Sequence, residues 1–102
     1  MSAPAYFVFE FTITDREGFA PYAAKVAETV AAFGGRRVVM GGKVRPVEGD
    51  APKGSIVVLA FPDMTTAEAW YASPNYQAIL GYRLASATGN AWLVEGVSPS
   101  PA

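Results

Sequence analysis

Cysteine and histidine are both absent from this sequence. The first absence excludes disulfides, thiolate nucleophiles and cysteine-ligated zinc. The second excludes a His-ligated haem and any Ser-His or Cys-His dyad. It also removes the one side chain that titrates near neutral pH without tuning. Acid–base chemistry would therefore fall to a carboxylate, Tyr, Lys or Arg in a perturbing site. Charge is sparse as well. Eight basic and nine acidic residues give a net charge of −1, with the signs interspersed, so there is no basic patch for nucleic acid and no acidic tail. The longest apolar runs, such as "IVVLAF", fall far short of the ~20 residues that span a bilayer. The N-terminus has no charged region followed by an apolar core, as a signal peptide would. A cytoplasmic protein without membrane or nucleic-acid partners is the expectation. There is no P-loop and no GxGxxG, and the carboxylates show no metal-ligand spacing. No metal and no cofactor are expected.

What is present suits a folded domain. Of the 102 residues, 51% are apolar, and the length is that of one domain over 1–102. The small and Pro-rich ends, about 1–4 and 98–102, read as tails. A domain of this size buries only about 60–70% of its unfolded surface, so help from a partner subunit is expected. "AYFVFEFTI" (5–13) reads as a strand, with Phe7, Phe9, Phe11 and Ile13 on one face and Tyr6, Val8, Glu10 and Thr12 on the other. Over 14–35, Phe19, Tyr22, Val26, Val30 and Phe33 recur at helical spacing. Thr14 or Asp15 can cap this helix, and Gly34 suits its C-terminal turn. Pro21 cannot donate a helical bond, so a loose turn over 15–19 is expected before a regular helix. "RRVVMGGKVRPVEG" (36–49) reads as a strand with a bulge or bend at Gly41-Gly42. "SIVVLAF" (55–61) is a buried strand. "TTAEAW" begins a second helix, with Thr65 and Glu68 as a capping box. "AWLVEGV" (91–97) is the last strand.

The order β-α-β-β-α-β is the ferredoxin-like split βαβ pattern. It predicts an α+β fold: a four-stranded antiparallel sheet with both helices on one face. The other face would carry Tyr6 and Val8, and either face of 55–61 is apolar. Such a face does not stay in water. A homodimer stacking sheet on sheet would cover it and form a dimeric α+β barrel.

The stretch "WYASPNYQAIL" (70–80) concentrates Trp70, Tyr71 and Tyr76 around a Ser-Pro-Asn break. Ser73 as N-cap and Pro74 at the first helical position predict two pieces, about 66–72 and 74–87. Trp70, Tyr71 and Tyr76 are either core or pocket lining. Arg83 falls on or beside the apolar stripe, so it needs a partner or an exit to water. It reads as a structural Arg or as an anion-binding Arg at a pocket wall. Glu10 lies on the face expected to be covered. There it is either a candidate catalytic base, because burial favours its protonated form, or one half of a salt bridge across the interface. Arg36 and Arg37 alternate in facing, and Arg36 is a ligand-binding candidate beside Trp70, Tyr76 and Arg83.

"AAFGGRRVVMGGKVRPVEGD", "LAFPDMTTAEAWYASPNYQAI", the following Arg83 and "WLVEGV" resemble the DUF1330 family, in order and from Tyr6 to Val97. The matched positions include Tyr22, Gly34-Gly35, Arg36, Glu48-Gly49, Phe61-Pro62, Trp70-Tyr71, Ser73-Pro74, Tyr76-Gln77 and Arg83. Three departures stand out: Met40 where the family often has Arg or His, Ala60 where it often has Glu, and Asn75 for a common Glu. Met40 and Ala60 are expected on the sheet face that becomes the barrel interior. The resemblance implies the dimeric α+β-barrel superfamily and no assigned reaction. It leaves two expectations. One is a dimer that binds a small apolar or anionic molecule. The other is a cofactor-free isomerase or monooxygenase-like enzyme with a carboxylate base and Arg or Tyr anion stabilisation.

Overall fold

The structure, a computed structural model, describes residues 3–98. Of the expected tails, residues 1, 2 and 99–102 lie outside the described residues. The chain runs β1 (Ala5–Ile13), α1 (Arg16–Ala31), β2 (Arg36–Met40), β3 (Ser55–Phe61), α2 (Met64–Ala72), α3 (Pro74–Ser86) and β4 (Ala87–Glu95). The sheet is antiparallel, in the order β2-β3-β1-β4. This is the α+β arrangement expected from the element order, with the second helix divided into α2 and α3.

The central pair β1–β3 sets the two faces. Ala5, Phe7 and Phe9 stand opposite Phe61, Leu59 and Val57, and this side carries the core with Tyr22, Val30, Trp70 and Leu80. Tyr6, Val8 and Glu10 stand opposite Ala60, Val58 and Ile56, and on the other side opposite Val94, Trp92 and Asn90. No helix covers this second face. Trp92 is 50% and Val94 49% exposed there.

Helix α1 starts earlier than the Pro21 argument suggested. Asp15 accepts from the Gly18 N–H at 3.2 Å, and the Asp15 carbonyl accepts from Phe19 N at 3.0 Å. Thr14 and Asp15 both donate backbone N–H groups to the Ser86 carbonyl, which ties the start of α1 to the end of α3. These anchors hold the first turn helical, and Pro21 costs the single bond its nitrogen cannot make. At the other end Gly34 takes a φ of 70°, as a left-handed helix stop requires.

Strand β2 is shorter than the sequence suggested. It stops at Met40, and Gly41 turns the chain away with a φ of 72°. The Gly41 N–H still reaches the Ile56 carbonyl at 2.8 Å, but residues 41–54 form no strand. The bulge falls inside the strand instead, at Val38: Arg37 pairs with Leu59, and Val39 with Val58. One extra residue reverses the facing of all that follows. Met40 therefore stands opposite Val57 on the helix side, while Ala60 pairs with Tyr6 on the open side. The two departures from the family pattern do not share a face, which corrects the expectation that they would.

The cap of α2 is Asp63, which accepts from the Thr66 N–H at 2.7 Å, rather than the Thr65–Glu68 box. Ser73 caps α3 and accepts from Tyr76 N at 3.3 Å. Its hydroxyl also donates to the Trp70 carbonyl at 2.7 Å, so one side chain ends α2 and begins α3. Strand β4 starts at Ala87, before the expected 91. Gly89 pairs with Phe11 at a φ of 151°. A Cβ there would overlap the Glu10 carbonyl oxygen and the Phe11 Cα, so only glycine lets the two strands approach this closely. Gly89→Ala is expected to destabilise the protein by at least about 2 kcal/mol in urea unfolding. An unchanged midpoint would show that β4 begins after this residue.

Candidate functional site

A cavity of about 450 Å³ lies between the helix side of the sheet and α1. Its body is apolar. Phe9 and Phe11 of β1, Val57 and Leu59 of β3, and Phe19, Tyr22 and Val26 of α1 line it. The alternation of β1 and the helical stripe of α1 bring these residues face to face. Phe19 joins the two walls, its ring centroid 5.7 Å from Phe11 and 5.3 Å from Tyr22. The solvent-exposed part of the lining includes Arg37, Met40, Gly41 and Ser55, which places the mouth at the end of β2 and the start of β3. The volume falls within the usual range for small-molecule sites.

Behind Phe9 and Tyr22 sits a polar cluster sealed from water. The Tyr22 and Tyr76 hydroxyls are 2.9 Å apart and share a hydrogen bond. Arg83 comes from the last turn of α3 and is only 8% exposed. Its guanidinium carbon lies 5.2 Å from the Phe9 ring centroid and 5.7 Å from that of Tyr22, within cation–π range of both. No carboxylate pairs with it, and its Nε is buried without a hydrogen-bond partner among the described residues. A buried cation without a counter-charge is costly, and the two ring faces and the Tyr22 and Tyr76 hydroxyls offset part of that cost.

The phenols respond to this setting. Burial, and then the neighbouring Tyr76, push the Tyr22 phenol well above its usual value, with Arg83 opposing. Burial also raises Tyr76, partly offset by its hydrogen bond to Tyr22 and by Arg83. For Arg83, burial acts to lower the pKa, but Tyr76 and Tyr22 outweigh it and the value stays above normal. At neutral pH the cluster is thus a cation and two neutral phenols. It can donate hydrogen bonds and attract negative charge, but it holds no ready base.

The candidates read from the sequence divide between the two sides of the sheet. Tyr76 and Arg83 meet in the cluster. Trp70 touches it, its ring centroid 4.0 Å from that of Tyr76. Yet Trp70 is fully buried, donates from Nε1 to Thr29 Oγ1 at 3.1 Å, and packs on Phe7 and Phe61; its place is in the core. Glu10 and Arg36 lie on the opposite, open side. Glu10 Oε2 accepts the Lys53 N–H at 2.8 Å, anchoring the segment after β2 to β1. No Asp or Glu lines the cavity. Two participants went unmarked in the sequence. Tyr22 read as one more apolar-stripe residue, although its hydroxyl signalled a polar end needing a partner. Of the arginine pair the sequence marked Arg36 as the candidate, and the pairing of β2 with β3 puts Arg37 on the helix side instead. Among the described residues, no group of three or more Asp and Glu is placed to hold a metal ion.

Because Arg83 has no counter-charge, Arg83→Met should leave the melting temperature unchanged or raise it, since an apolar residue of similar size removes the desolvation cost. A loss above about 2 kcal/mol would show that the ring faces and phenols more than compensate the charge. The phenols also fix a pH dependence. Both fold with raised pKa values, so their contribution is complete below the ordinary value of 10.0. Above it the unfolded chain releases protons that the folded one retains. Stability should then fall by up to about 1.4 kcal/mol per pH unit for each phenol. Urea unfolding from pH 8 to 11.5 should show this decline, and Tyr22→Phe should flatten it; a variant as steep as the parent would exclude the assignment.

Comparison with known proteins agrees with the fold. A protein of unknown function from Rhodopseudomonas palustris, RPA0582, superposes with a TM-score of 0.76 at 12% identity, over 97% of this chain and 86% of that one. SnoaB, a cofactor-independent oxygenase from Streptomyces nogalater, gives 0.64 at 18% identity, over 99% and 100%. HapK from Hahella chejuensis gives 0.60 at 10% identity, over 96% and 97%. At these identities the likeness is one of fold. No curated protein sequence matches this one. The sequence pattern of DUF1330, a domain of unknown function, matches residues 4–97, and the chain belongs to that family.

Proposed function

We propose that this protein is a single-domain, small-molecule-binding homodimer whose ligand sits in the cavity under α1. The observation that carries this reading is the cavity itself, about 450 Å³ with an aromatic wall, backed by a buried cation and two phenols behind its inner end. Dimerisation occupies the other side of the sheet. Tyr6, Val8, Ile56, Val58, Trp92 and Val94 make an apolar surface that no helix covers, and its cheapest cover is the same surface of a second copy. The dimer leaves the cavity free, because the sheet separates the two.

A second reading, a cofactor-free enzyme, is favoured by the Tyr22–Tyr76–Arg83 cluster, which suits a developing oxyanion. The likeness to SnoaB, a cofactor-independent oxygenase, supports it. Any base in such a reaction has to be found outside the cavity lining, which holds no carboxylate.

Native mass spectrometry of freshly purified, untagged protein tests the main reading. A dimer with a discrete added mass is expected. Val8→Lys, on the central strand of the open side, should give a folded monomer by circular dichroism and native mass. A Val8→Lys protein that stays dimeric would move the interface elsewhere.

A further inference from the structure

The lining of the cavity specifies the charge of what it takes. Arg37 is the one charged residue in that lining. It stands opposite Leu59, on the helix side, and its side chain makes no ion pair or hydrogen bond among the described residues. The bulge at Val38 brings Met40 to the same side, opposite Val57, so a cation and a flexible apolar side chain share the mouth. Arg83 lies behind the inner wall, against Phe9 and Tyr22, with no carboxylate partner among the described residues. The cavity thus has a positive group at its mouth, another behind its inner wall, and no carboxylate in its lining to balance either. A cationic guest would be repelled by both groups, and an anionic one would meet Arg37 at the solvent-exposed mouth.

We propose that Arg37 is the recognition residue for an organic anion: a ligand with a flat apolar body and one carboxylate-, phenolate- or enolate-type oxygen. The body packs between Phe11, Phe19 and Val57, and the oxygen meets the Arg37 guanidinium, whose planar fork suits it. This rests on the cavity being the binding site and adds the sign and position of the ligand charge. It assigns the role to Arg37 and leaves Arg36, on the open side, without one.

Two dyes of similar shape separate the claims. 8-Anilinonaphthalene-1-sulfonate carries an anionic group, and N-phenyl-1-naphthylamine carries none. Each is titrated by fluorescence into the parent protein, Arg37→Gln and Ala23→Trp, the last filling the cavity from α1. The expected result is that Arg37→Gln weakens the anionic dye about three- to tenfold and leaves the neutral dye unchanged. Added salt should narrow that difference, and Ala23→Trp should abolish both signals. If Arg37→Gln changes neither dye, or both equally, the anion assignment fails while the cavity stands. If the dyes bind Ala23→Trp as well as the parent, or fail to bind the parent, the cavity reading fails and the assignment falls with it.

Discussion

The buried guanidinium of Arg83 is the constraint around which the helix side of the molecule is arranged. It is 8% exposed and has no carboxylate partner among the described residues, so its charge has to be met by whatever surrounds it. Three elements answer. Strand β1 offers the face of Phe9, α1 the face and hydroxyl of Tyr22, and α3 the hydroxyl of Tyr76. Placement in the last turn of α3 adds the partial negative charge of that helix end. The Tyr22–Tyr76 bond then fixes the two phenols relative to each other. Tyr22, held this way, forms part of the cavity wall. The cation therefore sets the position of the cavity's inner end without itself lining it.

The sheet divides two tasks that compete in a small domain. A chain this short has little apolar surface to spare, yet it keeps a cavity on one side and an uncovered apolar face on the other. Alternation along β1 makes this economical. Phe7 and Phe9 serve the helix side, while Tyr6 and Val8 serve the open side, from neighbouring positions. The bulge at Val38 then adjusts the balance at the edge strand. It places Met40 on the helix side and Val39 on the open side. An unbroken register would have done the reverse, putting a long flexible side chain on the open face.

Much of this was legible in the sequence, for identifiable reasons. Strands β1 and β3 are long apolar runs with clear ends, and Ser73-Pro74 is strong helix-start chemistry; all three fall where expected. Strands β2 and β4 were harder, because their limits depend on partners. Gly41 ends β2, although the valines beyond it still read as strand. Gly89 and Asn90 fell before the strand read over 91–97, yet they pair with Phe11 and Glu10. The candidate residues followed the same rule. Arg83 and Tyr76 were visible because a polar group on an apolar stripe is conspicuous. Glu10 was equally conspicuous, but it sits on the side of the sheet away from the cavity and holds the Lys53 backbone instead. Arg37 and Arg36 could be told apart only by the register of β2 against β3, which depends on a long-range pairing.

The chemistry open to the site follows from what burial does to each group. The Tyr22 and Tyr76 phenols are held protonated, so they act as donors. Both Arg37 and Arg83 are cations. Every polar side chain at the cavity or behind its wall thus favours negative charge on a guest, and none of them is poised to remove a proton at neutral pH. A guest that already carries an anionic oxygen would bind without further chemistry. A guest that becomes more negative as it reacts would be stabilised by the same groups as its charge developed. The arrangement that makes a good receptor for an organic anion is thus also the part of a catalyst that a cofactor-free reaction would need most, and the difference between the two lies in the reactivity of the guest.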